Sequence, residues 1–302
     1  MILTVTLNPA VDHTVELDRE LTDGTVARTD GSQFDPGGKG INVSKYLVEQ
    51  DIQTIATGFV GDFLGQFLQE ELTGSDILTD FVEISGCTRL NTTILTPNAE
   101  FKINQDGPII DDTAVESIIE TIKRHSPRTV VIAGSLPPGV GPEIIDRVAE
   151  AGSWEVVVDV RGEALRTLEA EYALCKPNRE ELAAATGEDV GSLEGAFSAV
   201  RSLREQGFER VVASLGEDGA IMATSDAVLH TPALDVDVVD TVGAGDALLS
   251  GVLAERHRGG TDETALCAGV AVASRVVSVS GTSVPLLDDV SVNIEEMSAI
   301  AY

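Results

Sequence analysis

The sequence alternates between short, continuously apolar runs and longer segments whose apolar positions recur every three or four residues. Apolar runs that suit a buried strand occupy 1–7, 130–133, 156–159 and 211–214. Helical apolar spacing occurs at 115–122 and 196–203. Buried strands separated by helices indicate a parallel sheet that is covered on both faces. The pattern therefore predicts an α/β fold, and ligands of such a sheet bind at the carboxyl ends of its strands.

Two regions, near 13–35 and 88–104, depart from this pattern because polar and apolar residues alternate in them. A period of two is typical of strands with one exposed face, so we expect a small antiparallel sheet there. We expect this sheet to act as a lid over the strand ends, inserted into one domain that spans 1–302. The sequence shows no internal repeat and no clear linker.

Composition narrows the classes of function. The 302 residues carry a net charge of −30, with the acidic residues spread along the chain in ones and twos. So acidic a surface disfavours nucleic-acid binding, and no apolar run is long enough to span a bilayer. The composition resembles that of proteins from salt-loving organisms, in which salt screens the self-repulsion. Three widely spaced cysteines indicate neither a disulfide framework nor a metal site, so we expect a reducing, cytoplasmic location.

The segment 240–246 carries the strongest chemical signal. It follows an apolar, strand-like stretch and precedes a helical one. The amides of Gly243, Ala244 and Gly245 would be free to bind an anion at the helix N-terminus, because the glycines permit a tight turn. The carboxylate of Asp246 at the same point suits the removal of a proton from a hydroxyl that attacks phosphate. A capped helix after a turn is the alternative.

Glycines also crowd a second helix start, at Gly37 and Gly38. Their missing side chains would let a ligand approach Lys39 and Asn42, which follow. The segment is not a Walker A loop, because no Ser or Thr follows the lysine. A glycine-rich helix cap is the alternative. Asp12, after the first strand, could bind sugar hydroxyls together with an amide such as Asn42, or could simply cap a turn.

Candidate phosphate-binding residues lie in and near the expected lid. Arg89 opens one of its strands, with Asn91 two residues later, and a guanidinium suits bidentate binding of phosphate. Lys102 lies on the neighbouring strand and could supply a second positive charge. On so acidic a surface, either cation could instead be a simple salt-bridge partner. Ser135 lies in a rigid Gly-Ser-Leu-Pro-Pro-Gly turn after a strand and could be presented to a ligand.

Asn178 and Glu181 would share a face at a helix start. An amide oxygen and a carboxylate are hard ligands that suit Mg²⁺. The alternative is a capping box with Asn178 as the cap, and both interpretations can hold together. Farther along, 214–220 predicts a strand, a tight turn and a strand, in which Gly216 and Gly219 would allow close contact with a nucleotide.

Taken together, these motifs resemble the ribokinase/PfkB family of sugar kinases. The resemblance covers nearly the whole chain in the right order, and its two signatures are the glycine-rich segments 37–42 and 240–246. Segments that resemble the branch acting on phosphorylated ketohexoses are 6–12, 89–91, 134–139 and 176–182. The chain departs from the family pattern at 96–100, and at Val160 and Arg161, where relatives usually have Thr and Ser.

The resemblance implies a ribokinase-like three-layer sandwich with a mainly parallel central sheet and a small β-sheet lid. It implies transfer of the γ-phosphoryl group of ATP, with Mg²⁺, to fructose 1-phosphate, giving fructose 1,6-bisphosphate and ADP. Asp246 is then the base, and the amides of 243–245 hold the transferring negative charge. The residues implied for the sugar phosphate are Asp12, Gly37, Gly38, Lys39, Asn42, Arg89, Asn91, Lys102 and Ser135, with the three cations on its phosphate. Those implied for the nucleotide and metal are Lys176, Asn178, Glu181, Ser214, Gly216, Gly219 and Thr241.

Other functions stay open on the sequence alone. Within the class, they are a 6-phosphofructokinase, a tagatose-6-phosphate kinase and a kinase of an unphosphorylated sugar or nucleoside. Arg89 and Lys102 argue against the last, because a neutral substrate needs no such pair. A non-catalytic sensor of sugar phosphate or nucleotide is the alternative from another class, and the carboxylate of Asp246 argues against it. The family also implies a homodimer that forms through the lid sheet.

Overall fold

The computed structural model describes residues 1–29, 31–279, 285–287 and 297–302. Within these residues, the strands are β1 (Ile2–Thr6), β2 (Ala10–Glu16), β3 (Gly31–Gly37), β4 (Thr54–Val60), β5 (Leu78–Thr79), β6 (Val82–Glu83), β7 (Arg89–Leu95), β8 (Glu100–Asn104), β9 (Thr129–Ala133), β10 (Glu155–Asp159), β11 (Leu174–Cys175), β12 (Val211–Ser214), β13 (Ala220–Ala223), β14 (Val228–Thr231) and β15 (Ile300–Ala301). The helices are α1 (Lys39–Val48), α2 (Asp62–Gly74), α3 (Asp112–His125), α4 (Glu143–Glu150), α5 (Gly162–Leu165), α6 (Arg179–Thr186), α7 (Leu193–Arg204), α8 (Ala244–His257) and α9 (Asp262–Val277). None of the helices in this part of the chain is long and apolar enough to cross a membrane.

The central sheet is built mainly from parallel strands. Its order is β15-β14-β13-β12-β11-β10-β9-β1-β4-β5, and β6 also pairs with β4. In this order, adjacent strands from β12 through β11, β10, β9, β1 and β4 to β5 are parallel. At the other edge, β13, β14 and β15 are added in antiparallel pairs. The predicted strands are present as β1, β9, β10 and β12, and the predicted helices lie within α3 and α7.

Alternate residues of the central strands point to opposite faces of the sheet, and helices cover both faces. In β10, Val156 and Val158 pack in a cluster that includes residues of α3, α4 and α7. Val157, between them, packs in a second cluster with residues of α1, α8 and α9. Because both faces are buried, the strands have continuous apolar sequences. The fold is therefore the expected α/β three-layer sandwich with a mainly parallel sheet.

A separate four-stranded sheet has the order β3-β2-β7-β8. Its outer pairs are antiparallel, but β2 and β7 are parallel, with Asp12 opposite Asn91. The prediction of a wholly antiparallel small sheet is wrong at this pair. Between β2 and β7 the chain crosses into the central sheet as β4, and a crossover of that kind returns the chain in the same direction. Residue 30, within the predicted region 13–35, lies outside the described residues.

The stretch that leads into α8 is not a strand, so the strand-like expectation there is wrong. Residues 232–243 form no helix or strand. Val238 and Val239 are exposed, and the amide of Val239 donates to the carbonyl of Val277 at the end of α9 (2.8 Å). The segment thus runs along a helix end instead of pairing with a neighbouring strand, although its sequence is apolar and strand-like.

The central strands bring the chemically interesting residues to one edge of the sheet. Asn8 follows β1, Gly134 follows β9, Asp159 ends β10 and Ser214 ends β12. All four strands are parallel, so their carboxyl ends meet at the same edge. The N-termini of α1 and α8 approach each other above this edge, where Asn42 contacts Asp246.

Candidate active site

The N-terminus of α8 has the geometry of an anion site. Gly243 has φ +80°, and a Cβ placed on it would lie 2.6 Å from the hydroxyl oxygen of Tyr46, so glycine is required. In the described part of the chain, the amides of Gly243 and Gly245 have no hydrogen-bond partner. The amide of Ala244 is not entirely free, because it donates to the carbonyl of Thr241 at 3.3 Å. Two unpaired amides and the helix dipole favour a negative group here.

Asp246 lies in the first turn of α8 and is buried, with 6% of its surface exposed. Asn42 Nδ2 donates to its Oδ2 at 2.9 Å. Burial and, after it, the negative charge of Asp159 raise the pKa of Asp246 to about 6, while Asn42, Lys39 and Lys176 act in the opposite direction. A carboxylate with such a pKa is ionised at neutral pH yet holds a proton more readily than an ordinary aspartate, which suits a general base.

Asp159, which was not among the predicted site residues, is the centre of a buried charge cluster. Its side chain is fully buried between two lysines, with Lys39 Nζ 2.8 Å from Oδ1 and Lys176 Nζ 3.2 Å from Oδ2. Burial alone would raise the pKa of Asp159, but the two ammonium groups outweigh it and hold that pKa below its ordinary value. The signal in the sequence was only that an apolar strand ends in a carboxylate at the sheet edge where ligands bind.

Lys39 forms ion pairs within this cluster, whereas the resemblance implies that it binds the phosphate of the sugar. Burial opposes its charge, yet Asp159 and, at 3.7 Å, Glu181 raise the pKa of Lys39 above its ordinary value. Its ammonium group is therefore held among carboxylates, and it does not line the cavity that contains Arg89. The structure places Lys39 among the carboxylates of Asp159, Glu181 and, farther away, Asp246, and not at the cavity that contains Arg89.

The glycines before α1 make room for a polar pair on the small sheet. A Cβ on Gly37 would overlap the carboxylate of Asp12, and Gly38 has φ +131°. Asp12 accepts a hydrogen bond from Asn91 Nδ2 at 2.9 Å, because the two residues are opposite each other on β2 and β7. The amide partner of Asp12 is thus Asn91, whereas Asn42 is directed at Asp246.

Arg89 lies at a cavity of about 460 Å³ between the small sheet and the central strand ends. Its Nη2 and Nε donate to the carbonyl of Asn8, at 2.9 and 3.2 Å. Ser135 lines the same cavity and accepts a hydrogen bond from Asn8 Nδ2 at 3.4 Å. Arg161 also lines it, although the sequence marked that residue only as a departure from the family. The cavity therefore combines a hydroxyl group with two guanidinium groups.

Lys102 does not join Arg89 at this cavity. It is opposite Thr93 on β7, four positions from Arg89, or about 13 Å along the strand. It is more than half exposed and forms an ion pair with Glu100 at 3.1 Å. In the structure Lys102 is therefore a surface salt-bridge partner of Glu100, which is the alternative that the sequence left open.

Asn178 and Glu181 form the capping box at the start of α6. Asn178 Oδ1 accepts from the Glu181 amide (2.8 Å), and Glu181 Oε2 accepts from the Asn178 amide (2.9 Å). Within the described ranges, no cluster of three or more His, Cys, Asp or Glu side chains could hold a metal by itself. Each of these oxygens keeps a further lone pair, so the pair fits Mg²⁺ bound partly through water and phosphate.

The turn between β12 and β13 lies beside this helix. Its residues 216–218 form one 3₁₀ turn, which confirms the predicted strand, turn and strand. Gly216 and Gly219 have φ +66° and +84°, and a Cβ on Gly219 would overlap the carbonyl of Thr231. The Ser214 amide donates to the carbonyl of Pro177 at 3.1 Å, which ties the turn to the start of α6. The turn thus exposes backbone next to Asn178, at the same sheet edge as Lys176.

Comparison with known proteins agrees with this geometry. Residues 5–289 match the model of the pfkB family of carbohydrate kinases. A 1-phosphofructokinase of Haloferax volcanii is 52% identical over 97% of this chain and 96% of its own length. A D-tagatose-1-phosphate kinase of Bacillus licheniformis is 36% identical over 86% of each chain. The solved structure of phosphofructokinase-2 from Escherichia coli, in complex with potassium, superposes with a TM-score of 0.91 at 26% identity over 98% of each chain. This chain is therefore a sugar kinase and belongs to the pfkB family of carbohydrate kinases.

Proposed function

We propose that this enzyme transfers the γ-phosphoryl group of ATP to fructose 1-phosphate, giving fructose 1,6-bisphosphate and ADP. The observation that carries the reaction is the buried carboxylate of Asp246, held by Asn42 at the unpaired amides of α8. The substrate is supported by the relative that is 52% identical over 97% of the chain, which is named a 1-phosphofructokinase.

Asp246 is the base in this proposal. Its carboxylate removes the proton of the attacking sugar hydroxyl, a step typically worth about 10²–10⁴-fold in rate. The amides of Gly243 and Gly245, with a weaker contribution from Ala244, bind the negative charge that moves with the phosphoryl group. Lys39, paired with Asp159, adds a positive charge beside that point.

Asn178 and Glu181 would hold Mg²⁺, at the end of the cluster where Glu181 approaches Lys39. When bound, the ion neutralises charge on the nucleotide phosphates. The nucleotide would lie along the turn at Ser214, Gly216 and Gly219, with Lys176 near its phosphates and Thr241 at the start of α8. A Cβ on Gly245 would be 3.2 Å from Lys176 Nζ, so this lysine reaches the proposed anion site directly.

The sugar would lie between these groups and the small sheet. Asp12 and Asn91 suit its hydroxyls, and Gly37 and Gly38 leave room for it. Arg89 and Ser135 suit the phosphate that the sugar already carries, which argues against a neutral sugar or nucleoside. Fructose 6-phosphate and tagatose 6-phosphate are the rival substrates. The names of two relatives, at 52% and 36% identity, favour a 1-phosphate.

We also propose a homodimer that forms through the small sheet. Phe34, Phe101 and Ile103 lie on its edge strands and are each more than two-fifths exposed. The register of β2, β3, β7 and β8 places all three on one face of the sheet. An exposed apolar face of this kind is typical of an interface between copies.

The proposed location is a reducing compartment, the cytoplasm. The three cysteines, Cys87, Cys175 and Cys267, are all unpaired. Two of them are buried and serve as small apolar side chains, so the fold does not depend on disulfides.

The substrate is tested by one set of kinetic measurements. The purified enzyme, in molar KCl with ATP and Mg²⁺, is assayed on fructose 1-phosphate, fructose 6-phosphate, tagatose 1-phosphate and tagatose 6-phosphate. We expect kcat/KM to be largest for fructose 1-phosphate. A larger value for any of the other three sugars would show that the proposed substrate is wrong.

A further inference from the structure

Two arginines from distant parts of the chain face one cavity. Arg89 opens β7 on the small sheet, and Arg161 follows β10, two residues after Asp159. Both line the cavity of about 460 Å³ that also contains Ser135. Arg89 is half-buried and donates to backbone carbonyls, those of Asn8 and Gln105, whereas Arg161 is exposed. Within the described residues, neither guanidinium forms an ion pair with a carboxylate.

The two positive charges act on each other. Partial burial lowers the pKa of Arg89 below its ordinary value, and the charge of Arg161 adds to this shift, whereas the charges of Asp12 and Asp106 oppose it. Asp106 and Glu163 also line the cavity, but neither pairs with an arginine. Although the chain has 50 acidic and 20 basic residues, none of the described carboxylates forms an ion pair with either guanidinium group, so the two positive charges at this cavity are available to an anion.

We propose that Arg161, together with Arg89, binds the phosphate group that the sugar substrate already carries. The proposal rests on the proposed function, in which the substrate is a sugar phosphate. It gives Arg161 the part that the sequence suggested for Lys102, whose ammonium group pairs with Glu100 elsewhere on the small sheet. Two guanidinium groups suit a phosphate dianion, because Arg161 can donate two parallel hydrogen bonds to it and Arg89 keeps the N–H groups that Asn8 and Gln105 do not use.

The position of Arg161 also indicates which kinetic constant its substitution should change. Asp246 contacts Asn42 and senses the charges of Lys39 and Lys176, whereas Arg161 lines the cavity with Ser135 and Arg89. A group that binds the unreacting end of a substrate stabilises the ground state and the transition state alike. Its loss therefore raises KM for the sugar phosphate and leaves kcat nearly unchanged.

The test uses three single variants of the full-length enzyme. Arg161→Ser removes the guanidinium group, Arg161→Lys keeps the charge, and Arg166→Ser is a matched control. Arg166 is exposed and does not line the cavity. Arg166→Ser therefore changes the net charge by the same amount as Arg161→Ser without altering the cavity. We expect Arg161→Ser to raise KM for fructose 1-phosphate about 10- to 100-fold, with kcat and KM for ATP within about threefold of wild type. Arg161→Lys should have an intermediate KM, and Arg166→Ser that of wild type.

The outcomes of this test distinguish a failure of the inference from a failure of the proposed function. An unchanged KM in Arg161→Ser, or an equal rise in KM for ATP, would overturn the inference while the substrate assignment stands. If the wild type prefers another sugar phosphate, the assignment falls, yet Arg161→Ser should still raise KM for that sugar. A rise in KM in Arg166→Ser as large as in Arg161→Ser would show a nonspecific effect of charge, which also contradicts the inference. Thermal melting of each variant shows that it is folded.

Discussion

Asp246 owes its proposed role to its surroundings. Its carboxylate is buried, receives one hydrogen bond from Asn42 and lies near a second carboxylate, Asp159. Burial and like charge both disfavour ionisation, so the pKa rises, to about 6. The hydrogen bond from Asn42 and, after it, the charges of the two lysines of the cluster limit this rise of the pKa. The result is a base whose pKa lies close to neutral pH.

This pKa predicts an acid limb in the pH profile. Below pH 6 the carboxyl of Asp246 is protonated and cannot accept a proton, so kcat/KM should fall about tenfold per pH unit below a midpoint near pH 6. Asn42→Ala removes a hydrogen bond that lowers this pKa, so its midpoint should move to higher pH. The measurement is kcat/KM for fructose 1-phosphate from pH 4.5 to 8. A midpoint near pH 4, or one that stays in place in Asn42→Ala, would contradict this assignment.

At the residue level, the sequence predicted the motifs but not their partners. Asn42 and Asp246 were both predicted, each from its own glycine-rich segment, yet their hydrogen bond spans 204 positions and has no local signature. Asp159 is a single carboxylate at a strand end, so no spacing marked it. Arg161 was noted only as unusual. Lys102 was expected on the strand next to that of Arg89, where it lies, but which cavity a side chain reaches depends on strand register.

The capping box of α6 stabilises the helix and is also the proposed Mg²⁺ site. Asn178 caps the helix with the same side-chain oxygen that the proposal assigns to Mg²⁺. Because the cap fixes the rotamer of Asn178 and holds Glu181 against it, the two oxygens are positioned before any ion binds. Any substitution that removes this oxygen therefore affects the proposed metal site, whereas its cost to the helix depends on how well the new residue serves at the N-cap.

Two substitutions at Asn178 separate these contributions. Asn178→Ala loses both the oxygen and the cap and should lower the free energy of unfolding by about 1 kcal/mol, whereas Asn178→Gly loses the oxygen at a cost of only a few tenths. Both variants should need more Mg²⁺ for half-maximal activity, to a similar extent. Mg²⁺ titrations and denaturant unfolding of both variants provide the measurements. A wild-type Mg²⁺ requirement in Asn178→Gly would remove this residue from the metal site.

Among the larger elements, the sequence pattern was reliable where burial is two-sided. β1, β9, β10 and β12 were predicted because both faces of the central sheet are covered. The pattern failed where pairing direction depends on the route of the chain, as for β2 and β7. It failed again at 232–243, where an apolar stretch lies against the end of α9 and does not pair as a strand. Hydrophobic periodicity gives the exposure of a segment, not its partner.

The charge of the whole molecule sets the conditions under which it should be stable. A net charge of −30 over 302 residues means that repulsion between carboxylates opposes the compact state. Only a few of the described carboxylates form an ion pair with a basic side chain. Most of these pairs, such as Arg147 with Asp112, lie on the surface. Salt in the solvent, and not internal pairing, is therefore expected to reduce most of the repulsion.

Stability should consequently rise with salt. The screening length shortens from about 10 Å at 0.1 M to about 3 Å at 1 M, so the melting temperature should increase by several degrees over this range of KCl. The gain should shrink at pH 4.5, where part of the carboxylates are protonated and the net charge is smaller. Calorimetric melting at both pH values measures it. A melting temperature that does not change between 0.1 M and molar KCl at pH 7.5 would contradict the charge argument.

The most direct test of the whole account compares wild type with Asp246→Asn in the formation of fructose 1,6-bisphosphate from ATP and fructose 1-phosphate. The amide keeps the shape of the side chain but cannot accept the proton, so kcat should fall by at least about 10². The dissociation constant of fructose 1-phosphate, from calorimetric titration, should stay within about threefold of wild type. A variant that retains wild-type turnover would contradict the central claim that Asp246 is the base of this kinase.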